Sequence, residues 1–200
     1  MPMKRFRKVT APVAVLDRGD VDTDQIMPKQ FLKRIERTGY GEFLFFDWMK
    51  DPDFELHKPE YRAAKILIAG RNFGCGSSRE HAAWGLQDYG FEVVIAPSFG
   101  DIFRSNSLKI GLVTIQLPPE DVRTLMDEEA KGGVELTVDL ERQEITGPDG
   151  LCIPFELDAH ARECILEGLD DVGLTLRRED EIAAYEAAHA PRVPTTALSV

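Results

Sequence analysis

Three short apolar runs, spaced by helix-length stretches, are the tightest constraint on how this chain can fold. Lys65–Ala69, Glu92–Ala96 and Ile110–Gln116 read as strands, with Ser78–Tyr89, Pro97–Leu108 and Pro118–Lys131 as the helices between and after them. Val93-Val-Ile95 is apolar at consecutive positions, which suits a strand buried on both faces. Such alternation predicts parallel βαβ units. Val9–Leu16 is a further strand ahead of them. It ends at Asp17-Arg-Gly-Asp-Val-Asp-Thr-Asp24, where five charges and a glycine in eight residues predict a loop.

Pro28 predicts a short helix over Lys29–Arg34. Thr38-Gly-Tyr-Gly-Glu42 breaks the chain, and Phe43-Leu-Phe-Phe46 is buried strand or helix. After Gly132-Gly133 the pattern changes. Val134–Val138, Arg142–Thr146 and Leu151–Phe155 are short strands, with Pro148-Asp-Gly150 as a turn, so an antiparallel meander is expected. Asp158–Glu167 and Glu179–Ala188 are closing helices, and the tail from Ala190 is expected to fray. The sum is one layered α/β domain over residues 1–200, with its core from about 9 to 185. It should hold a parallel sheet and a smaller mixed or antiparallel sheet, with helices outside.

The charge balance narrows the partners. A net charge of −11 argues against nucleic acid, which needs a basic face. Residues 1–100 carry 15 Lys+Arg against 14 Asp+Glu, a net of +1, and residues 101–200 carry 9 against 21, a net of −12. An anionic ligand is therefore expected on the first half. No apolar run approaches the ~20 residues of a membrane span, and the start lacks a signal-peptide core. Cys75, Cys152 and Cys164 form no CxxC pair, so neither a disulfide framework nor a self-contained metal site is expected. A cytoplasmic, reduced setting follows.

The chemistry concentrates in Asn72-Phe-Gly-Cys-Gly-Ser-Ser-Arg-Glu-His81. A strand, a glycine-rich turn and a helix start present backbone N–H groups outward, and the helix dipole adds about half a positive charge. Arg79 can clamp a carboxylate or phosphate by two points. A dinucleotide fingerprint would need glycine where Arg79 stands, and the lysine of a P-loop is absent. Two structural readings compete with the chemical one. Ser77-x-x-Glu80 matches a helix capping box, and Cys75 between two glycines suits a small filler. His81, with no G-x-S-x-G elbow nearby, is expected to be a hydrogen-bonded structural residue. Asp20, Asp22 and Asp24 have calcium-loop spacing without the following glycine or the glutamate at position twelve.

Four segments together carry a resemblance. They are Asp20-Val-Asp-Thr-Asp-Gln-Ile-Met-Pro-Lys-Gln-Phe-Leu-Lys33, Arg37-Thr-Gly39, Asn72–His81 and Ala96-Pro-Ser-Phe-Gly-Asp-Ile-Phe-Arg-Ser-Asn106. In this order they closely resemble the small subunits of bacterial 3-isopropylmalate dehydratases, a family that corresponds to the swivelling domain of aconitase. The resemblance runs from about Val9 to Tyr185.

That resemblance implies a small–large heterodimer of leucine biosynthesis that interconverts 2- and 3-isopropylmalate through isopropylmaleate. It implies a [4Fe-4S] cluster on the large subunit, with one iron open to the dicarboxylate substrate, and no metal on this chain. Ser77 is implied as the base that takes and returns the α-proton, helped by the N–H groups of the Gly74–Ser78 turn, Gly76 included. Arg79 would fix a substrate carboxylate with Ser78 as an added hydrogen bond, and Asp24 stands at a catalytic aspartate. Arg37, or Arg34 in its place, would be the second substrate arginine. The segment Phe31, Leu32, Lys33, Arg34 through Thr38 would choose the substrate, with Phe31 and Leu32 facing the alkyl branch. Two other functions remain open: a related hydro-lyase acting on homoaconitate or a methyl-branched malate, and a free-standing anion-binding regulatory module.

Overall fold

Strands with no polar residue on either face can persist only where both faces are covered, and that dictates the centre of the molecule. A computed structural model describes residues 3–33 and 38–189; Arg34, Arg37 and the tail 190–200 lie outside the described residues. In chain order the elements are β1 (Lys8–Leu16), α1 (Thr23–Ile26), β2 (Ile66–Ala69), α2 (Glu80–Tyr89), β3 (Val93–Ala96), α3 (Asp101–Ile110), β4 (Val113–Gln116) and α4 (Pro119–Ala130). There follow β5 (Glu135–Asp139), β6 (Glu144–Thr146), β7 (Cys152–Pro154), α5 (Ala159–Glu167), α6 (Asp171–Leu176) and α7 (Glu179–Ala188).

The seven strands lie in the order β4-β3-β2-β1-β5-β6-β7. The expected parallel and antiparallel parts are both present, and β1 joins them. Its second half, Val13 to Leu16, pairs parallel with Ile66 to Ala69, and its first half, Lys8 to Pro12, pairs antiparallel with Asp139 to Glu135. One nine-residue strand therefore serves two partners at different ends.

Side-chain alternation sorts these strands into two cores. Val13, Ile66, Ile68, Val93, Ile95, Val113 and Ile115 face α4, where they meet Val122, Leu125 and Met126. Ala14, Leu16, Leu67, Ala69, Val94 and Ala96 face α2, α3 and the segment 40–64, meeting Ala82, Leu86, Phe103, Phe45 and Phe54. Ile66, Ile68, Val93 and Ile95 are completely buried, and each contributes on the order of 1.5–3 kcal/mol.

Local structure departs from the expectations at several ends. α2 begins at Glu80 rather than Ser78, and α3 at Asp101 rather than Pro97. β4 begins at Val113, because α3 runs through Ile110 and Gly111 closes it with a left-handed φ of 85°. The helix expected over Lys29–Arg34 is a 3-10 turn at Lys29–Phe31, and α1 and α6 stand where the pattern predicts no helix.

Candidate active site

The carboxyl ends of β1, β2 and β3 lie side by side, the usual place for ligands in an open α/β sheet. The loops that leave them interlock through their backbones. Gly74 N–H donates to Val21 O at 2.7 Å, and Thr23 N–H to Cys75 O at 2.9 Å. On the other side Phe73 N–H donates to Ser98 O at 3.0 Å, and Gly100 N–H to Phe73 O at 2.9 Å. The glycine-rich turn is thus wedged between the β1 and β3 loops.

Left-handed backbone at Asn72, Gly74 and Gly76 (φ 57°, 72° and 85°) turns the chain three times in five residues. At Gly74 space as well as φ is limiting, because a Cβ would run into the Phe103 ring. Side chains pin the entrance of the turn. Asn72 Nδ2 donates to Asp20 Oδ1 at 2.9 Å, Arg71 Nη2 to Asp20 Oδ2 at 2.8 Å, and Asn72 N–H to Ser98 Oγ at 2.8 Å.

Beyond the turn the expected residues converge. Gly76, Ser77 and Ser78 are exposed at the rim, and Arg79 follows as the N-cap of α2. The capping box expected of Ser77 and Glu80 does not form, since the cap carries no side-chain hydrogen bond. The box stands elsewhere. Asp22 Oδ1 accepts from Gln25 N–H at 2.8 Å, and Gln25 Oε1 accepts from Asp22 N–H at 2.9 Å. That box starts α1, and α1 carries Thr23 and Asp24 into the site. Thr23, 2% exposed, donates its hydroxyl to Ser77 O at 2.7 Å. Asp24 accepts from both terminal nitrogens of Arg79, from Nη1 to Oδ1 and from Nη2 to Oδ2.

Asp20, Asp22 and Asp24 therefore have three different tasks: bracing the turn, capping α1 and pairing with Arg79. Among the described residues no group of three or more His, Cys, Asp or Glu could hold a metal ion. The hydrogen bonds from Arg79 hold the Asp24 carboxyl below its ordinary range against the opposing effect of burial, and the Lys29 N–H acts in the same direction. Burial pushes the Cys75 thiol up, with Asp22 and Asp20 adding to the shift, so it stays protonated and suits the filler role. Burial also lowers the His81 pKa. The His81 ring packs against Tyr40 and Trp84, with centroids at 5.2 and 4.6 Å, so among the described residues ring packing stands where a hydrogen bond is expected.

The expected specificity segment is spread out. The Phe31 ring stacks on Phe43 at 4.2 Å and meets Phe46 edge-on at 4.8 Å, and Leu32 packs against the same core. Lys33 is exposed. Thr38 lines a cavity with Trp84, Gln87 and Asp88, at the far end of α2 from Arg79. Thr23 is not among the residues the motifs single out; the D-x-x-Q pattern at 22–25 is the signal that locates it.

A mixed sheet with this turn at its carboxyl edge is an α/β domain of the aconitase type, and residues 3–120 match the family model of the aconitase C-terminal domain. Residues 123–159 match LeuD_N, and residues 171–198 match the model for the C-terminal domain of 3-isopropylmalate dehydratase small subunits. The chain belongs to the 3-isopropylmalate dehydratase small-subunit family. The small subunit of Acidobacterium capsulatum is 56% identical over 188 residues, which are 94% of this chain and 91% of the relative. That of Geobacillus kaustophilus is 53% identical over 196 residues, 95% of this chain and 100% of the relative. A crystal structure of 3-isopropylmalate dehydratase from Methanocaldococcus jannaschii superposes with a TM-score of 0.67 at 27% identity, over 89% of this chain and 99% of that one.

Proposed function

We propose that this chain, as one domain, is the small subunit of a 3-isopropylmalate dehydratase. With a large subunit it converts 2-isopropylmalate and 3-isopropylmalate into each other through isopropylmaleate, for leucine biosynthesis in the cytoplasm. The observation that carries this is the placement of Ser77, Ser78 and Arg79. Two exposed hydroxyls and a guanidinium stand together at the carboxyl edge of the parallel strands, directly before α2.

In the dehydration Ser77 Oγ, as alkoxide, takes the proton from the carbon next to a carboxylate, and the hydroxyl leaves the neighbouring carbon. In the rehydration the same oxygen delivers that proton to the carbon that lost the hydroxyl, while hydroxide adds to the carbon that lost the proton. A serine needs help to carry the charge; the Gly74 N–H is taken by Val21 O, so the help falls to the later N–H groups of the turn and to the adjacent amino end of α2. Arg79 holds a substrate carboxylate, and Ser78 adds a hydrogen bond. Gly76, exposed at the rim with a left-handed φ of 85°, puts no side chain beside Ser77.

The family resemblance implies a [4Fe-4S] cluster. The residues of this chain do not fit one: Cys75 is in the turn, Cys152 on β7 and Cys164 on α5, all unpaired. We therefore place it on the large subunit, where it would supply Lewis-acid assistance to the departing hydroxyl. Arg34 and Arg37 remain the candidates for a second carboxylate contact.

The test is anaerobic turnover, followed by isopropylmaleate absorbance, with the chain alone and with a reconstituted cluster-bearing large subunit. Turnover in the mixture only is the expected result. Silence in the mixture with isopropylmalate, followed by turnover with homoaconitate or a methyl-branched malate, would replace the substrate. Silence with all of them, and anion binding by the chain alone, would point to a regulatory module.

A further inference from the structure

Asp24 and Arg79 come from different loops, and their contact decides what Arg79 has left to offer. The carboxylate takes one N–H from Nη1 and one from Nη2, the second at 2.8 Å, so it fills the end-on fork of the guanidinium. A guanidinium has five N–H groups in one plane. The side edge, made of Nε and the other hydrogen of Nη2, is a second fork, and among the described residues Nε has no hydrogen-bond partner. The Arg79 side chain is 14% exposed and that of Asp24 49%, so the carboxylate is the outer member of the pair.

The neighbour of Asp24 on α1 acts on the neighbouring functional group. Thr23 points inward and holds the Ser77 carbonyl, while Asp24 points outward and holds Arg79. Two consecutive residues of one four-residue helix thereby grip the base and the clamp. The capping box of Asp22 and Gln25 fixes that helix, and Thr23 N–H bonded to Cys75 O fixes it to the turn.

We infer that Asp24 is a positioning residue that acts through Arg79: it fills the end-on fork, fixes the guanidinium plane and leaves the Nε–Nη2 edge for a substrate carboxylate. The role rests on the dehydratase function proposed above, and α1 becomes the element that sets base and clamp in register. Asp24 then touches neither the proton nor the departing hydroxyl.

The experiment is steady-state kinetics of Asp24→Asn and Asp24→Glu in complex with the large subunit, beside the wild-type complex. Asparagine keeps one acceptor and loses the charge. The expected result is a KM for 2-isopropylmalate raised roughly tenfold or more, with kcat within about threefold. Asp24→Glu, which keeps a two-oxygen fork, should recover part of the KM. A kcat loss of about a hundredfold at constant KM would place Asp24 on the reacting atoms and overturn the role. A lower KM would mean that Asp24 competes with substrate for one fork, and unchanged kinetics would leave only a structural contact; both also overturn it. The full chain alone gives a readout free of activity. The Nη resonances of Arg79 should be separate by nitrogen NMR in the wild type, where the fork stops rotation, and merged in Asp24→Asn. Merged lines in the wild type would refute a fixed plane even if the dehydratase function itself failed.

Discussion

Thr23 Oγ1 donates to the carbonyl of Ser77 at 2.7 Å, across 54 residues of sequence. The bond is part-buried, and it ties the residue expected to move the proton to a helix that a different loop supplies. Thr23→Val keeps the shape and deletes the donor, leaving the carbonyl without its partner. We expect a stability loss of about 1–3 kcal/mol by urea denaturation. We also expect a kcat loss of about tenfold with KM retained, since the base is less well held. Full stability and full kcat in this variant would remove the hydroxyl from any role in the site.

Ser77→Ala removes the proposed base and nothing that the fold uses, because the contact with Thr23 is made by the backbone carbonyl. Turnover should fall by about 10²–10⁴ or more, the usual worth of a positioned base. The complex with the large subunit should still form by size-exclusion chromatography. An active Ser77→Ala complex would assign the proton to another group.

Much of this architecture is legible in the sequence, and the failures have local physical causes. Val93 to Ala96 is apolar at every position and is buried at every position, so no other element type competes. Pro97 invites α3 four residues early, because nothing local shows that Phe73 and Phe99 form a bridge, which holds residues 97–100 extended. Phe43–Phe46 reads as one buried element. Instead Phe45 takes a left-handed φ of 49° and its N–H reaches Ile26 O at 2.9 Å, a long-range contact that overrides propensity. α6 is hidden because Gly173 reads as a loop residue, although Asp170 caps its N–H at 2.7 Å. In the site, Ser77, Ser78, Arg79 and Asp24 can be named from motifs. The joining of Asp24 to Arg79 and of Thr23 to Ser77 cannot, since each pair spans more than fifty residues.

Arg79→Lys replaces a planar group with two forks by a point charge. A lysine can meet Asp24 or a substrate carboxylate but cannot present a fork to each. The expected loss in kcat/KM is about a hundredfold or more, carried mainly by KM, with the fold retained by circular dichroism. Near-normal kinetics would show that a diffuse positive charge is enough and that no clamp exists.

The last prediction concerns a buried pair that the chemistry does not use. Tyr61 is 3% exposed and Glu129 7% exposed. Burial raises the Tyr61 hydroxyl well above its ordinary pKa of 10.0, and the adjacent Glu129 carboxylate adds to the shift. The folded state therefore keeps a proton that the unfolded chain gives up near pH 10. Below that pH both states are protonated and the contribution is complete; above it stability declines until the folded value is reached. The slope is at most about 1.4 kcal/mol per pH unit for one such group. Burial also raises Tyr89, so some alkaline loss should persist without Tyr61. Urea midpoints at pH 8, 10 and 11 should fall more steeply above pH 10 in the wild type than in Tyr61→Phe. Parallel curves would mean that the hydroxyl ionises in the folded protein as readily as in water.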